Sequence, residues 1–351
     1  MHLVTFERRE ASADSGQEPL GRLSDAALGF ETLEFSRPGV RRFGALIPPG
    51  PRAGDVVDLN RAFAVKLAYE DVGAPEAEAD SLLPSNLHAY LVRSSARRLA
   101  EATFEWTLDA LGRYDAPDLV RAGIVLPRSS FQLRAPLSRP GKIIAVAHNY
   151  RAHAAERGHE VPEEPVLFLK ATSAVIGPGE DIVLPVASAQ VDYGGELAVV
   201  IGRLASNVAE AEALDYVAGY TAANDVTARD YQNVRGQHFI GKSCDTFAPL
   251  GPILVTADEI SDPQDLAIRT VVSGDPRQDA RTKDMVFSVS QLIAFTSRLM
   301  TLEPGDVLLT GTPAGVGAAH SPPKWLRDGD VVDVEIEHIG RLRNYVRSAS
   351  A

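Results

Sequence analysis

His153 and Glu156 lie three residues apart in NYRAHAAERG, a spacing that puts both side chains on one face of a helix. A carboxylate beside an imidazole fixes its tautomer and raises its basicity, which is what a general base needs. A set of acids stands beside apolar strands. Asp192 and Glu196 flank the run ELAVVIG, and Asp225 follows the small-residue strand GYTAAND. Carboxylates at strand ends suit a hard divalent ion with oxygen ligands, such as Mg2+ or Mn2+. Cations are also present: Lys170 ends VLFLK, Lys242 lies in GKSCD, and Arg229 lies in NDVTARD. Lysines in apolar surroundings are costly unless paired. They would either bind a substrate carboxylate or oxyanion, or form ion pairs with neighbouring acids. In LLTGTPAGVG, residues 308–317, backbone amides and the hydroxyls of Thr310 or Thr312 can form a nest for a carboxylate. The glycines there, Gly311, Gly315 and Gly317, miss the dinucleotide-binding spacing, and no Lys-Ser or Lys-Thr follows as a phosphate loop requires. His148 and His238 are candidates for the neighbourhood of a site, and His159 has no legible role.

Composition narrows the classes. A net charge of -12 leaves no electrostatic excess for nucleic-acid phosphates. No apolar run approaches the roughly 18 residues that would cross a bilayer, and the N-terminal MHLVTFERREASADSG lacks the pattern of a secretory signal. The single cysteine, Cys244, excludes an internal disulfide and points to a reducing cytoplasm. It reads as a buried, inert thiol. The histidines form no HExxH, so no zinc pattern is present.

These groups must be positioned by strands. Length gives a prior of about two domains for 351 residues. Residues 1–125 read as a smaller mixed domain. RRFGALIP and DVVDLNRAF are its short strands, and SSARRLAEATFEWTLDALG is a helix presenting Leu99, Phe104, Leu108 and Leu111, with Gly112 as a stop. Residues 126–140, rich in proline, read as a linker. From 141 to 351 the chain is β-rich. KIIAVAHN, VLFLK, ELAVVIG, GPILVTADE, DLAIRTVVSG, GDVLLTG and DVVDVEIEHIG read as strands, and NYRAHAAERG, VAEAEALDYV and SVSQLIAFTSRLM as helices. The regular strand–helix alternation of a doubly wound sheet is absent, so an α+β fold follows: a β-rich roll or barrel with helices at its rim.

The order and wording of these segments resemble the fumarylacetoacetate hydrolase superfamily. AVAHNYRAHAAE, FLKATSAVIGPG, VDYGGELAVVIG, NDVTARDYQ, GKSCDTFAPLGP, RTKDMVFSVSQLI, LEPGDVLLTGTPAGVG and DGDVVDVEIEHIGRLRN carry the resemblance, in that order, over nearly all of 141–351. The resemblance implies a mixed β-roll catalytic domain, usually in a homodimer, acting on small oxo acids. It implies hydrolysis of a C–C bond in an acylpyruvate or related 1,3-dicarbonyl, with decarboxylation or isomerisation as alternatives in the same pocket. Carried over by position, His153 and Glu156 are the catalytic dyad, Lys170 faces the substrate and Lys242 lies near the reacting oxygens. Gln278 and Thr312 help bind the substrate, with Arg229 beside them. Glu196 and Asp225 are ligands of Mg2+ or Mn2+. One departure stands out: the family usually has Glu-x-Glu where this chain has Gly194-Gly195-Glu196. Alternate strand residues share a face, so position 194 would have supplied a third carboxylate. Asp192, two residues earlier, is the available substitute. A metal-deficient oxo-acid binder is the reading outside enzymes.

Overall fold

The computed structural model describes residues 1–9, 40–113, 116–232 and 238–349. They divide into two compact units, Met1–Arg134 and Ala135–Ala351. Residues 10–16 of the N-terminal stretch read as non-secretory lie outside the described residues.

In the first unit, β1 (His2–Arg8) pairs antiparallel with β2 (Arg41–Leu46), which pairs with β3 (Val56–Asp58), which pairs with β4 (Val125–Leu126). The segment DVVDLNRAF is a strand for only half its length. Asp58 accepts a hydrogen bond from the Arg61 amide and so caps α1 (Leu59–Tyr69). The helices α2 (Pro75–Leu82), α3 (Leu87–Val92), α4 (Ala96–Arg113) and α5 (Ala116–Arg121) follow. Helix α4 buries Ala96, Ala100, Thr103, Phe104, Thr107 and Ala110. Small residues therefore make the packed face, and Leu99, Leu108 and Leu111 lie half-buried at its edge. The stretch expected to be a linker contains β5 (Phe131–Arg134), an antiparallel partner of β1.

The second unit is built on two sheets. The larger has the order β14 (Ala248–Thr256), β12 (Val217–Asn224), β11 (Gly195–Ile201), β17 (Val307–Leu309), β6 (Ile143–Ala147) and β7 (Val166–Lys170), with β8 (Val175–Ile176) parallel to β14. The smaller runs β16 (Asp275–Arg281), β15 (Ala267–Val272), β18 (Val331–Ile336), β19 (Gly340–Ser348) and β9 (Asp181–Leu184). Strands β10 (Val191–Asp192) and β13 (Thr227–Ala228) form a separate pair. Among the described residues neither sheet closes into a barrel, so the roll half of the expectation describes the fold. Strand β11 is buried at every position because β12 and β17 flank it while β15 and β18 pack against it. That accounts for its continuous apolar run. Short helices α6 (Arg151–Glu156), α7 (Arg229–Gln232) and α8 (His238–Lys242) sit at strand ends. Helix α9 (Val289–Leu299) starts at a capping box made by Ser288 and Gln291. VAEAEALDYV forms a 3-10 helix, Glu210–Tyr216, in place of the expected α-helix.

Candidate active site

The register of β11 against β12 sets Glu196 opposite Ala223 and Gly195 opposite Asn224. Asp225, one residue past β12, donates its backbone N–H to the Gly194 carbonyl at 2.7 Å. This brings the acids at the start of one strand and the end of the next to one place. Strand β7 delivers Lys170 there and α8 delivers Lys242. Lys170 Nζ lies 2.7 Å from Asp225 Oδ1 and 3.1 Å from the Val226 carbonyl. Lys242 Nζ bonds Asp225 Oδ2 and sits 4.9 Å from the centre of the Phe168 ring. Both lysines form the ion pair with Asp225, and Lys242 also lines the cavity described below.

These pairs set the protonation states. Burial pushes the Asp225 carboxyl up, but the two ammoniums outweigh it and bring it down to about 2. Burial pulls Lys242 down to about 8 against the attraction of Asp225, with Arg229 and Lys170 adding repulsion. Glu196 accepts a bond of 2.7 Å from the Gly311 amide. Burial, then the Asp225 charge, still raise its carboxyl well above the usual range.

The His153 and Glu156 side chains meet. His153 Nδ1 and Glu156 Oε1 are 2.8 Å apart, and Glu156 Oε2 accepts from the Gly315 amide at 2.8 Å. His153 is buried, and burial lowers its pKa, with Arg229 and Lys242 repelling the charged form and Glu156 partly restoring it.

The glycine loop differs from its expected role. Its amides grip the protein's own acids: Gly311 holds Glu196, Gly315 holds Glu156, and Gly317 with Ala318 holds Asp192. Gly311 and Gly315 have φ of +96° and +105°, and a Cβ on Gly315 would collide with the Arg277 carbonyl oxygen. Gly315→Ala is therefore expected to cost more than about 1 kcal/mol. Thermal unfolding should show it as a loss of about 2–4 °C per kcal/mol, accompanied by loss of activity as Glu156 is released.

Several predicted site residues have partners within the protein. Asp192 accepts from Arg229 Nε at 2.9 Å and from the amides of Tyr193, Gly317 and Ala318, so it does not replace the missing carboxylate of position 194. Arg229 is held by that ion pair and by Gln232. Gln278 donates to Thr312 Oγ1 and the Pro313 carbonyl and accepts from the Gly195 amide, which makes it a brace for the loop rather than a free substrate ligand. Thr312 passes that bond on to the Gly195 carbonyl. Lys170 and Glu156 are not among the residues that line the cavity described next. Cys244 is half-buried rather than buried, and burial raises its thiol pKa, in keeping with inertness.

A cavity of about 230 Å3 is lined by His153, Gly194, Glu196, Asp225, Arg229, Lys242 and Thr312, and also by Arg157, Phe168 and three further histidines. Its size suits a small acid and is below the usual range for larger ligands. No group of three or more His, Cys, Asp or Glu side chains placed to hold a metal ion is present among the described residues. Glu196 has one oxygen on an amide, both oxygens of Asp225 carry ammoniums, and position 194 has no side chain. Two carboxylates opposite two ammoniums leave no net negative charge to attract Mg2+ or Mn2+, so the residues present do not fit the ion that the resemblance implied.

The pairing of Asp225 makes a prediction. Lys170→Met removes one partner of a buried ion pair and is expected to cost about 3–5 kcal/mol in urea unfolding. Because the Asp225 pKa is lowered from about 3.9 unfolded to about 2 folded, its contribution is complete above about pH 4 and is lost as pH falls through about 2. The variant should flatten that acid limb.

Comparison with known proteins agrees with this architecture. Residues 142–347 match the family described as fumarylacetoacetate (FAA) hydrolase C-terminal. The oxaloacetate tautomerase fahd2, mitochondrial, of Xenopus laevis is 48% identical over 63% of this chain and 70% of its own. The human oxaloacetate tautomerase FAHD2A, mitochondrial, is 46% identical over 63% of this chain and 71% of its own. Among solved structures, 2-hydroxyhepta-2,4-diene-1,7-dioate isomerase from Mycobacterium marinum superposes with a TM-score of 0.58 at 41% identity, covering 65% of this chain and 82% of that one. The fumarylacetoacetate hydrolase of Exiguobacterium antarcticum reaches a TM-score of 0.67 at 34% identity, covering 89% and 97%. The chain belongs to the fumarylacetoacetate hydrolase family. No helix among the described residues is long and apolar enough to cross a membrane.

Proposed function

We propose that this protein moves a proton between carbon and oxygen of a small oxo acid, as a keto–enol tautomerase or isomerase. The observation that carries this reading is the His153–Glu156 pair beside Lys242 at one small cavity. With Nδ1 bonded to Glu156, Nε2 is the ring nitrogen left to take a proton. Burial keeps the imidazole neutral at pH 7, ready to accept one. The C–H bond next to the keto group breaks and its proton goes to His153. The electron pair moves to the keto oxygen, where the Lys242 ammonium stabilises the enolate. Glu156 holds the imidazolium that forms; delivery of its proton to the enolate oxygen yields the enol, and the same steps in reverse yield the keto form. Relatives at 46–48% identity named as oxaloacetate tautomerases support proton transfer ahead of the C–C hydrolysis implied by the family resemblance.

The test is exchange of the C3 protons of oxaloacetate in D2O, followed by NMR, with decay of the enol absorbance measured in parallel. Catalysis of both supports the reading. Rates equal to those in buffer would overturn it.

A further inference from the structure

Residues alternate faces along a strand, so β1 sends Glu7 to one side and Arg8 to the side of the buried Val4 and Phe6. Glu7 has Arg134 at 2.9 Å and Arg41 at 4.0 Å. Arg8 stands on the face that is otherwise core. The register of β1 against β2 sets Phe6 opposite Arg42, which makes Arg42 the diagonal neighbour of Arg8. Helix α1 adds Arg61, buried, from its first turn. Arg61 Nε donates to the Ala122 carbonyl at 3.0 Å, and Arg8 Nη2 lies 3.2 Å from where a Cβ on Gly123 would stand. The turn after α5 thus gathers both guanidiniums.

The nearby acids have other partners. Asp58 accepts from Arg42 at 2.5 and 2.9 Å and caps α1 through the Arg61 amide. Asp80 accepts from Asn60 Nδ2 at 3.0 Å, and Glu76 stands 3.9 Å from Arg61 Nη1. Arg8 forms no ion pair and no side-chain hydrogen bond among the described residues, and its Nε is buried. Burial pulls the Arg8 pKa down, Asp58 opposes this without cancelling it, and Arg42 adds repulsion. Burial also brings Arg61 down to about 10 against Glu76 and Asp58, with Arg42 and Arg8 repelling it. A guanidinium keeps its proton at neutral pH, so a half-buried one without an anion is costly.

We infer that Arg8, backed by the charge of Arg61, is a binding site in the first unit for a small oxyanion, a carboxylate or phosphate group held by the guanidinium fork. The planar fork matches two oxygens of such a group and supplies charge-assisted hydrogen bonds. The site draws on no residue of the His153–Glu156 cavity, so it stands or falls apart from the oxo-acid reading.

The test titrates inorganic phosphate and acetate into the full chain by calorimetry, with chloride holding the ionic strength constant. The parent protein should bind at least one of them with a Kd of about 1 mM or tighter. The tighter of the two names the head group of the ligand. Arg8→Met should weaken that binding at least about tenfold. Arg8→Lys, which keeps the charge but loses the fork, should fall between the two. Thermal unfolding is the second readout. In chloride, Arg8→Met should unfold at the parent's temperature or above it, because it removes a charge that has no partner. The bound anion should raise the unfolding temperature of the parent and leave that of Arg8→Met unmoved. Binding that survives both substitutions lies elsewhere and overturns the site. So does an Arg8→Met protein that is less stable in chloride and responds to the anion as the parent does, because Arg8 would then be a structural cation already satisfied by the fold. A parent that binds neither anion overturns it as well.

Discussion

His153→Ala is expected to lower kcat for enolisation by about 10²–10⁴, the usual contribution of a positioned general base. KM should change little, because the imidazole acts on the proton in flight rather than holding the acid. Burial lowers the His153 pKa from its ordinary value, so the base form persists to lower pH. The acid limb of kcat/KM should therefore lie below about 6.5, the ordinary histidine value. Glu156→Gln should shift this limb further down and cost less than His153→Ala, since the ring remains but the imidazolium loses its counter-charge. The measurement is the exchange assay over pH 4–9. A His153→Ala protein that is folded and retains parent activity would remove the base from the mechanism, whatever the substrate proves to be.

What the sequence allowed and what it hid follow from how each feature is encoded. The strands of the second unit were legible because β6, β7, β11 and β17 are apolar runs bounded by turn residues. Strand β16, DPRQDAR, was not, because almost nothing in it is apolar and only Gln278 is buried. Strand β19 was also passed over. It carries a period of two, with Leu342, Asn344 and Val346 buried between exposed arginines and tyrosine, and that alternation was the available signal. The dyad was visible because helical spacing is local. The destinations of the loop amides were not, since Gly311 and Glu196 are separated by 115 residues and only the folded chain shows that the amides hold the protein's own acids. Asp192 could pass for a metal ligand by strand parity alone, and Arg229, thirty-seven residues away, settles its role. The histidine side of the cavity collects residues from β6's end, α6's end and α8, so no single motif announced it.

Gly194→Glu is expected to convert the cavity into a divalent-metal site. A Cβ at 194 would come no closer than 3.4 Å to the Asp225 carbonyl and the Thr312 side chain, and φ there is not in the left-handed region, so the substitution should be accepted. It would add a third carboxylate on the face that already carries Glu196, two residues along the strand. The local balance would then favour a cation, and an ion could draw Asp225 away from one of its lysines. In the parent protein the same ion must compete with two ammoniums for Asp225 and with an amide for Glu196. Loss of partners that merely support a metal site costs about 10- to 100-fold in affinity, and restoring a direct carboxylate should gain at least about 100-fold. Titration of Mn2+ and Mg2+ by calorimetry, with enhancement of water proton relaxation by Mn2+ as a second readout, measures this without reference to turnover. The parent should bind weakly and its exchange activity should withstand EDTA, while the variant should bind tightly. Tight binding in the parent would show that Glu196 and Asp225 suffice and would overturn the reading that the two lysines have taken the place of the ion.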